Sequence, residues 1–303
     1  MLSSKNITII TVEPLGSYHL MPLYKEMGLR DSIFTHLVPY PEKLQGEPWC
    51  NISSSLSNIS TCEKIILAGG GFTAWSEAVL SYANQLGIPV YLSELAYGSF
   101  SKKPNGIHID KVSVLTPVSK TIVCETLSIR SENVFVTGSP QVLCNLEQKG
   151  DIVLLLSTSD LITRDPSANL IKIANYLRNN SIPYLVRTHP REDKSIWDGF
   201  KQSTTPLLSD DLSKAKMVVA YTGTPSLNVV ASGLPLINLA PNDNFTSIIP
   251  PNYNAILPNL ARNFDEGIAL LYNNVLPSKS LVESLLGNND KAAKNIVDFW
   301  EST

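Results

Sequence analysis

A two-domain α/β fold is what this sequence predicts, and three observations carry that expectation. Short β-rich runs alternate with longer amphipathic ones, the rhythm of a parallel sheet covered by helices on both faces. The rhythm restarts after the polar stretch CNLEQKGD at 144–151. At 303 residues and 43% hydrophobic content the chain is long enough to bury two cores. Two Rossmann-like units are therefore expected, facing across a cleft.

The first series opens with NITIITV (6–12) and THLVPY (35–40), then KIILAG (64–69) followed by the helical stretch FTAWSEAVLSYANQL (72–86). It continues with IPVYLSE (88–94), KVSVLTPVS (111–119) and NVFVTGS (133–139), all read as strands. SSSLSN (53–58) reads as a polar loop. This gives a first domain over 1–145. The second domain, 146–285, begins at DIVLLLS (151–157) and runs through the helix SANLIKIANYLRNN (167–180) to IPYLVRTHP (182–190). In that helix Leu170, Ile171, Ile173, Ala174 and Leu177 share one face, and the Asn pair supplies a stop. LSKAKMVVAYTG (212–223), the helix PSLNVVASG (225–233) and the strand LPLINLA (234–240) follow. The last segment, 286–303, holds the helix NDKAAKNIVDFW with no strand after it, so it is expected to pack back on the first domain.

Composition excludes several classes. A net charge of -3 provides no global field for nucleic acid or an anionic membrane, so any anion must be met by a local pocket. No run approaches the length of a membrane span. The opening residues read as a first strand rather than a signal peptide, which places the protein in the cytoplasm. The four cysteines, Cys50, Cys62, Cys124 and Cys144, lack zinc spacing and read as reduced thiols.

Open α/β sheets bind ligands outside the carboxyl ends of their strands, so function is sought in those loops. The loop RTHPRED brings Arg187, His189 and Arg191 to such an edge, with Pro190 restraining the backbone. Arginine offers paired donors to phosphate, and imidazole can donate to a leaving oxygen. Alternatively, Arg191 pairs with Glu192 or Asp193 on the surface and His189 satisfies a carbonyl. In YTGTPS, residues Thr222, Gly223, Thr224 and Ser226 open a helix, where amides and hydroxyls favour an anion or merely cap the helix. Ser157 and Thr158 supply a third loop to the same phosphate site.

These residues carry a resemblance. THP, TGTPS and GLPLI make the second domain resemble the donor domain of GT-B glycosyltransferases. GIPVYLSELAYGS and NVFVTGSPQ, with Gly138, are similar to segments of the UDP-N-acetylglucosamine 2-epimerases. The His-Pro loop and Ser/Thr turn also resemble bacterial sialyltransferase-like and capsule Kdo-transferase families. The resemblance implies a nucleotide sugar donor, UDP- or CMP-linked, a carbohydrate or glycan acceptor, and a role in polysaccharide or glycoconjugate biosynthesis. It also implies that Glu94 is the base. Two departures set the chain apart from the epimerases: Leu227 and Asn228 stand where that family has ribose-holding acids, and GGG replaces its Gly-Asp pair.

Transfer from such a donor needs a stabilised phosphate and a base for the acceptor proton. Glu13, His19 and Glu94 are the base candidates because their loops follow strands, although Glu94 also reads as a capping group. No Asp-x-Asp motif marks a metal site, and no cofactor is implied; SDD at 209–211 reads as the cap of a helix beginning LSKAK. A homodimer is left open. The rival reading is KIILAGGGFTAWSE, a Gly-x-Gly-x-x-Ala turn with Glu94 further on, which fits a dinucleotide-dependent oxidoreductase. A sugar-nucleotide epimerase-like enzyme and a nucleotide-sugar-binding protein without catalysis are the further readings.

Overall fold

A computed structural model describes residues 5–12, 20–39, 52–53, 55–69, 71–100, 102–140, 150–157, 168–189, 192–221, 224–239, 259–273, 276–278, 282, 289 and 291–302. The chain divides into two compact units, one of residues 1–141 with 284–303 and the other of residues 142–283. Each holds a sheet whose described strands all run parallel. The architecture is α/β, with two Rossmann-like domains.

In the first unit the strands are β1 (Asn6–Ile10), β2 (Ile33–Leu37), β3 (Ile52–Ser53), β4 (Lys64–Ala68), β5 (Val90–Ser93), β6 (Lys111–Val114) and β7 (Val134–Val136), in the order β3-β2-β1-β4-β5-β6-β7. The pleat sends alternate residues to opposite faces. Ile10, Ile65 and Leu67 pack with Val79 and Leu80 of α1 (Ala74–Gln85), while Ile7, Ile9, Ile66 and Ala68 line the other face. That second face is closed by Ile296, Val297 and Trp300 of the last helix, which we label α2 (Ala292–Glu301). Trp300 and Ile296 are fully buried there. Asn295 Nδ2 adds a 3.3 Å bond to the carbonyl of Thr137.

Two stretches of this unit differ from the reading of the sequence. KVSVLTPVS is a strand only as far as Val114; Thr116 then accepts from the Ser119 amide as an N-cap, and Pro117 opens α3 (Pro117–Leu127). SSSLSN is not all loop, since Ser55 caps a 3-10 turn over Leu56–Thr61.

The second unit has β8 (Ile152–Leu156), β9 (Tyr184–Arg187), β10 (Ala215–Tyr221), β11 (Leu236–Leu239) and β12 (Leu260–Ala261), ordered β12-β11-β10-β8-β9. Helix α4 (Ala168–Asn179) buries Leu170, Ile173, Ala174 and Leu177 against Val153, Leu155, Val219 and Ile237, and Ile171 packs at its edge. The SDD stretch does not cap a helix beginning at LSKAK. It lies inside the short α5 (Leu208–Leu212), and Ala215 already belongs to β10.

This sheet has its switch point at β8: β9 lies on one side and β10 on the other. In open α/β sheets, ligands bind outside the carboxyl ends of the strands at such a switch point.

Candidate functional site

Three loops of the second unit leave from that edge because its parallel strands end there. They follow Leu156 of β8, Arg187 of β9 and Tyr221 of β10. The β8 and β9 ends are tied together: the Ser157 amide donates to the Arg187 carbonyl at 3.0 Å. The Ser157 hydroxyl accepts from the His189 amide at 2.8 Å and donates to the Glu192 carboxylate. The Glu192 amide in turn donates to the His189 carbonyl at 3.0 Å, closing a turn. Glu192 is only 6% exposed, so its carboxylate is drawn in from the solvent.

This geometry revises two expectations. The Ser157 hydroxyl is engaged with Glu192 and His189, so it supports the loop rather than meeting a phosphate directly. Arg187 points elsewhere, and its guanidinium donates to the carbonyls of Thr205 (3.0 Å), Pro206 (2.8 Å) and Leu207 (3.3 Å). It also pairs with Asp211 at 2.7 Å, a fully buried carboxylate that accepts from the Ser203 hydroxyl as well. Donors engaged in this way cannot grip a phosphate as a fork.

Beyond β10 the helix α6 (Thr224–Ala231) begins, so its N-terminus lies at the same edge. Ser226 is fully buried and donates to the Tyr221 carbonyl at 3.2 Å, which makes it a brace of the turn and removes it from the anion-binding set. Leu227 is fully buried in the core. Arg191, Thr222, Gly223, Thr158, Glu13 and His19 lie outside the described residues, as does the Thr224 side chain.

The first unit brings together a different set. Gly138, at φ 84°, follows β7 and is buried. Glu94 follows β5 and has no exposed surface. Its oxygens accept from the Gly98 amide at 2.8 Å and the Leu115 amide at 2.9 Å, tying the loop after β5 to the start of α3. Burial pushes its carboxyl from the ordinary 4.5 up to about 7, against the pull of those amides and the Ser119 hydroxyl. A sealed carboxyl of this kind does not touch an acceptor hydroxyl, so the expectation of Glu94 as base is corrected. The same bonds keep it from a ribose, which removes the acidic residue from the dinucleotide pattern. The glycines of that pattern have a local reason: Gly69 and Gly71 have φ of 81° and 64°, and a Cβ on Gly71 would meet the Ser99 carbonyl at 3.0 Å.

One residue went unnoticed in the sequence. His36 on β2 is 1% exposed, with Nε2 at 2.9 Å from the Thr11 hydroxyl just beyond β1. Burial lowers its pKa to about 4, so it stays neutral at physiological pH. Its apolar neighbours Phe34 and Leu37 gave the only hint, an inward position on a strand. Among the described residues no group of three or more His, Cys, Asp or Glu could hold a metal ion, and no helix is long and apolar enough to cross a membrane. Cys62 and Cys124 are free thiols.

No protein-family model matches the chain, nor does any curated protein. Solved structures do. MurG of Acinetobacter baumannii is similar over 99% of this chain and 100% of its own, with TM-score 0.65 and 9% identity. A Polygonum tinctorium UDP-glucosyltransferase capable of glucosylating indoxyl and 3,4-dichloroaniline matches over 99% of each chain, with TM-score 0.62 and 11% identity. A UDP-N-acetylglucosamine 2-epimerase from Rickettsia bellii matches over 97% of this chain and 95% of its own, with TM-score 0.60 and 13% identity. At such identities the likeness establishes the fold, a GT-B type pairing of two Rossmann-like domains.

Two of the buried acids, Asp211 and Glu94, lend themselves to measurement. Arg187→Ala leaves the Asp211 carboxylate buried without its partner, and chemical denaturation should show a loss of about 3 kcal/mol or more; an unchanged midpoint would return Arg187 to the free phosphate ligands. For Glu94, folding takes up a proton between pH 4.5 and about 7, because the folded state holds it more tightly than the unfolded chain. Stability should therefore fall as pH rises through that window and level off above it, and urea midpoints at successive pH values should show this slope disappearing in Glu94→Gln. The variant should also be less stable throughout, since an amide NH2 must face one of the two backbone donors.

Proposed function

We propose that the protein is a metal-independent glycosyltransferase that takes its sugar from a nucleotide-activated donor, UDP- or CMP-linked, bound at the carboxyl edge of the second sheet. The observation that carries this reading is that the braced His189 loop and the N-terminus of α6 follow strands on either side of β8, at the same edge of that sheet. A helix N-terminus carries partial positive charge, and a donor loop on the far side of β8 can complete the neutralisation of a phosphate without a cation. Of the three similar structures named above, two carry UDP-sugar chemistry in their names, which favours a nucleotide sugar over a dinucleotide.

In the reaction, the anomeric carbon–oxygen bond to the donor phosphate breaks, and the phosphate keeps the electron pair. The acceptor hydroxyl forms the new glycosidic bond and gives up its proton. His189 donates to the phosphate oxygen as charge develops, and the amides and hydroxyls of Thr222 to Thr224 take the others. With Glu94 sealed, Glu13 and His19, which follow β1 in the sequence, are the candidates for the base that takes the acceptor proton. A carbohydrate acceptor suits a role in surface polysaccharide or glycoconjugate synthesis.

Thermal-shift measurements with UDP, CMP, CDP, GDP and NAD, each with magnesium and with EDTA, test the reading, since a ligand that binds the native state raises its melting temperature by mass action. UDP or CMP should stabilise the protein equally in both conditions. His189→Ala should keep the fold and lower transfer by roughly a hundredfold, the scale of losing one preorganised donor. Stabilisation by NAD alone would point to an oxidoreductase instead.

A further inference from the structure

We propose that Glu192 is a positioning residue of the donor site, acting through the Ser157 hydroxyl to fix the main chain at His189. The inference rests on the donor-site reading above and gives a role to a carboxylate that this reading leaves unused.

A hydroxyl has one proton to give and two lone pairs to offer. A carboxylate that accepts only will draw that proton, so Ser157, by donating to Glu192, must turn a lone pair toward the His189 amide. The Glu192 oxygen also lies 3.4 Å from the same amide. On the other side the His189 carbonyl takes the Glu192 amide at 3.0 Å. Both polar groups of the His189 main chain are thereby held, one by each end of a single clamp. The anchor of the clamp is rigid, because Ser157 directly follows β8 and its own amide is bonded to the Arg187 carbonyl on β9.

Burial gives the second observation. Glu192 is 6% exposed although its neighbours in the sequence, Asp193 and Lys194, are exposed. Burying a carboxylate costs desolvation that only well-formed hydrogen bonds offset. A surface turn needs no such group, since any polar side chain left in water would serve. A clamp that fixes the direction of one hydroxyl proton does need it. The consequence for chemistry is that the imidazole of His189 projects from a main chain held at both its amide and its carbonyl, which narrows the approaches it can make to a phosphate before the ligand arrives.

The test uses the full chain and the variants Ser157→Ala, Ser157→Thr and Glu192→Ala, alone and combined with His189→Ala. Amide hydrogen exchange, read at single residues by NMR, should speed up at His189 in Ser157→Ala and Glu192→Ala, while Leu185 and Val186 on β9 remain protected as a check on folding. Titration with UDP and CMP should show the nucleotide bound by the wild type weakened by roughly tenfold in those two variants. Ser157→Thr, which keeps a hydroxyl, should restore most of the affinity. In the His189→Ala background, Glu192→Ala should cost nothing further, because the clamp acts through that histidine. Additive losses, or unchanged affinity in Glu192→Ala, would overturn the positioning role. An unchanged His189 amide in Ser157→Ala would overturn the clamp whatever the chain binds, whereas a wild type that binds neither nucleotide would overturn the donor-site reading itself.

Discussion

The constraint on which everything else rests is that each sheet is parallel throughout its described strands. Parallel strands cannot be joined by tight hairpins, so every crossover must climb back over a face of the sheet, and helices cover both faces as a result. The core then follows from the pleat, with Ile7 and Ile9 on one side of β1 and Ile10 on the other. The same constraint collects all strand exits on one edge. In the second unit it brings Ser157, His189 and the start of α6 together although they are far apart in the sequence. No side-chain interaction had to recruit them.

Buried acids show how the loops at these edges are held. Glu94, Asp211 and Glu192 are all shielded from water, and each has backbone amides, hydroxyls or a guanidinium arranged around it. Asp211 uses Arg187 to bind the stretch 205–207 under β9, and Glu94 ties the loop after β5 to α3. Their differences are physical. Asp211 has a cation at 2.7 Å, whereas Glu94 has only neutral donors, and its carboxyl is accordingly pushed up to about 7. Of the three, only Glu94 is a base candidate in the sequence, and all three secure loops that carry other groups.

Much of the architecture was legible in the sequence because it depends on periodicity. The face of α4 was readable from Leu170, Ile173, Ala174 and Leu177, all of which are buried. Helix α3 was missed because Val118, Ile122 and Val123 continue the β-branched character of β6, and the decisive signal was only the pair Thr116–Pro117, an N-cap followed by a first-turn proline. The site was less legible. That His189 sits at a strand exit follows from the pattern, but the direction taken by Arg187 depends on a carboxylate on a helix further along the chain. Glu192 stands between Arg191 and Asp193 and so looked like part of a solvated charge run; only the turn that bonds its amide to the His189 carbonyl draws it inside.

The most direct test of the central claim is a hydrogen-exchange footprint of UDP and CMP on the intact chain. The account predicts protection confined to peptides spanning the exits of β8, β9 and β10, around Ser157, His189 and the first turn of α6. Protection centred instead on the glycine turn after β4, around Gly69 to Ala74, would contradict it and place the nucleotide in the first unit.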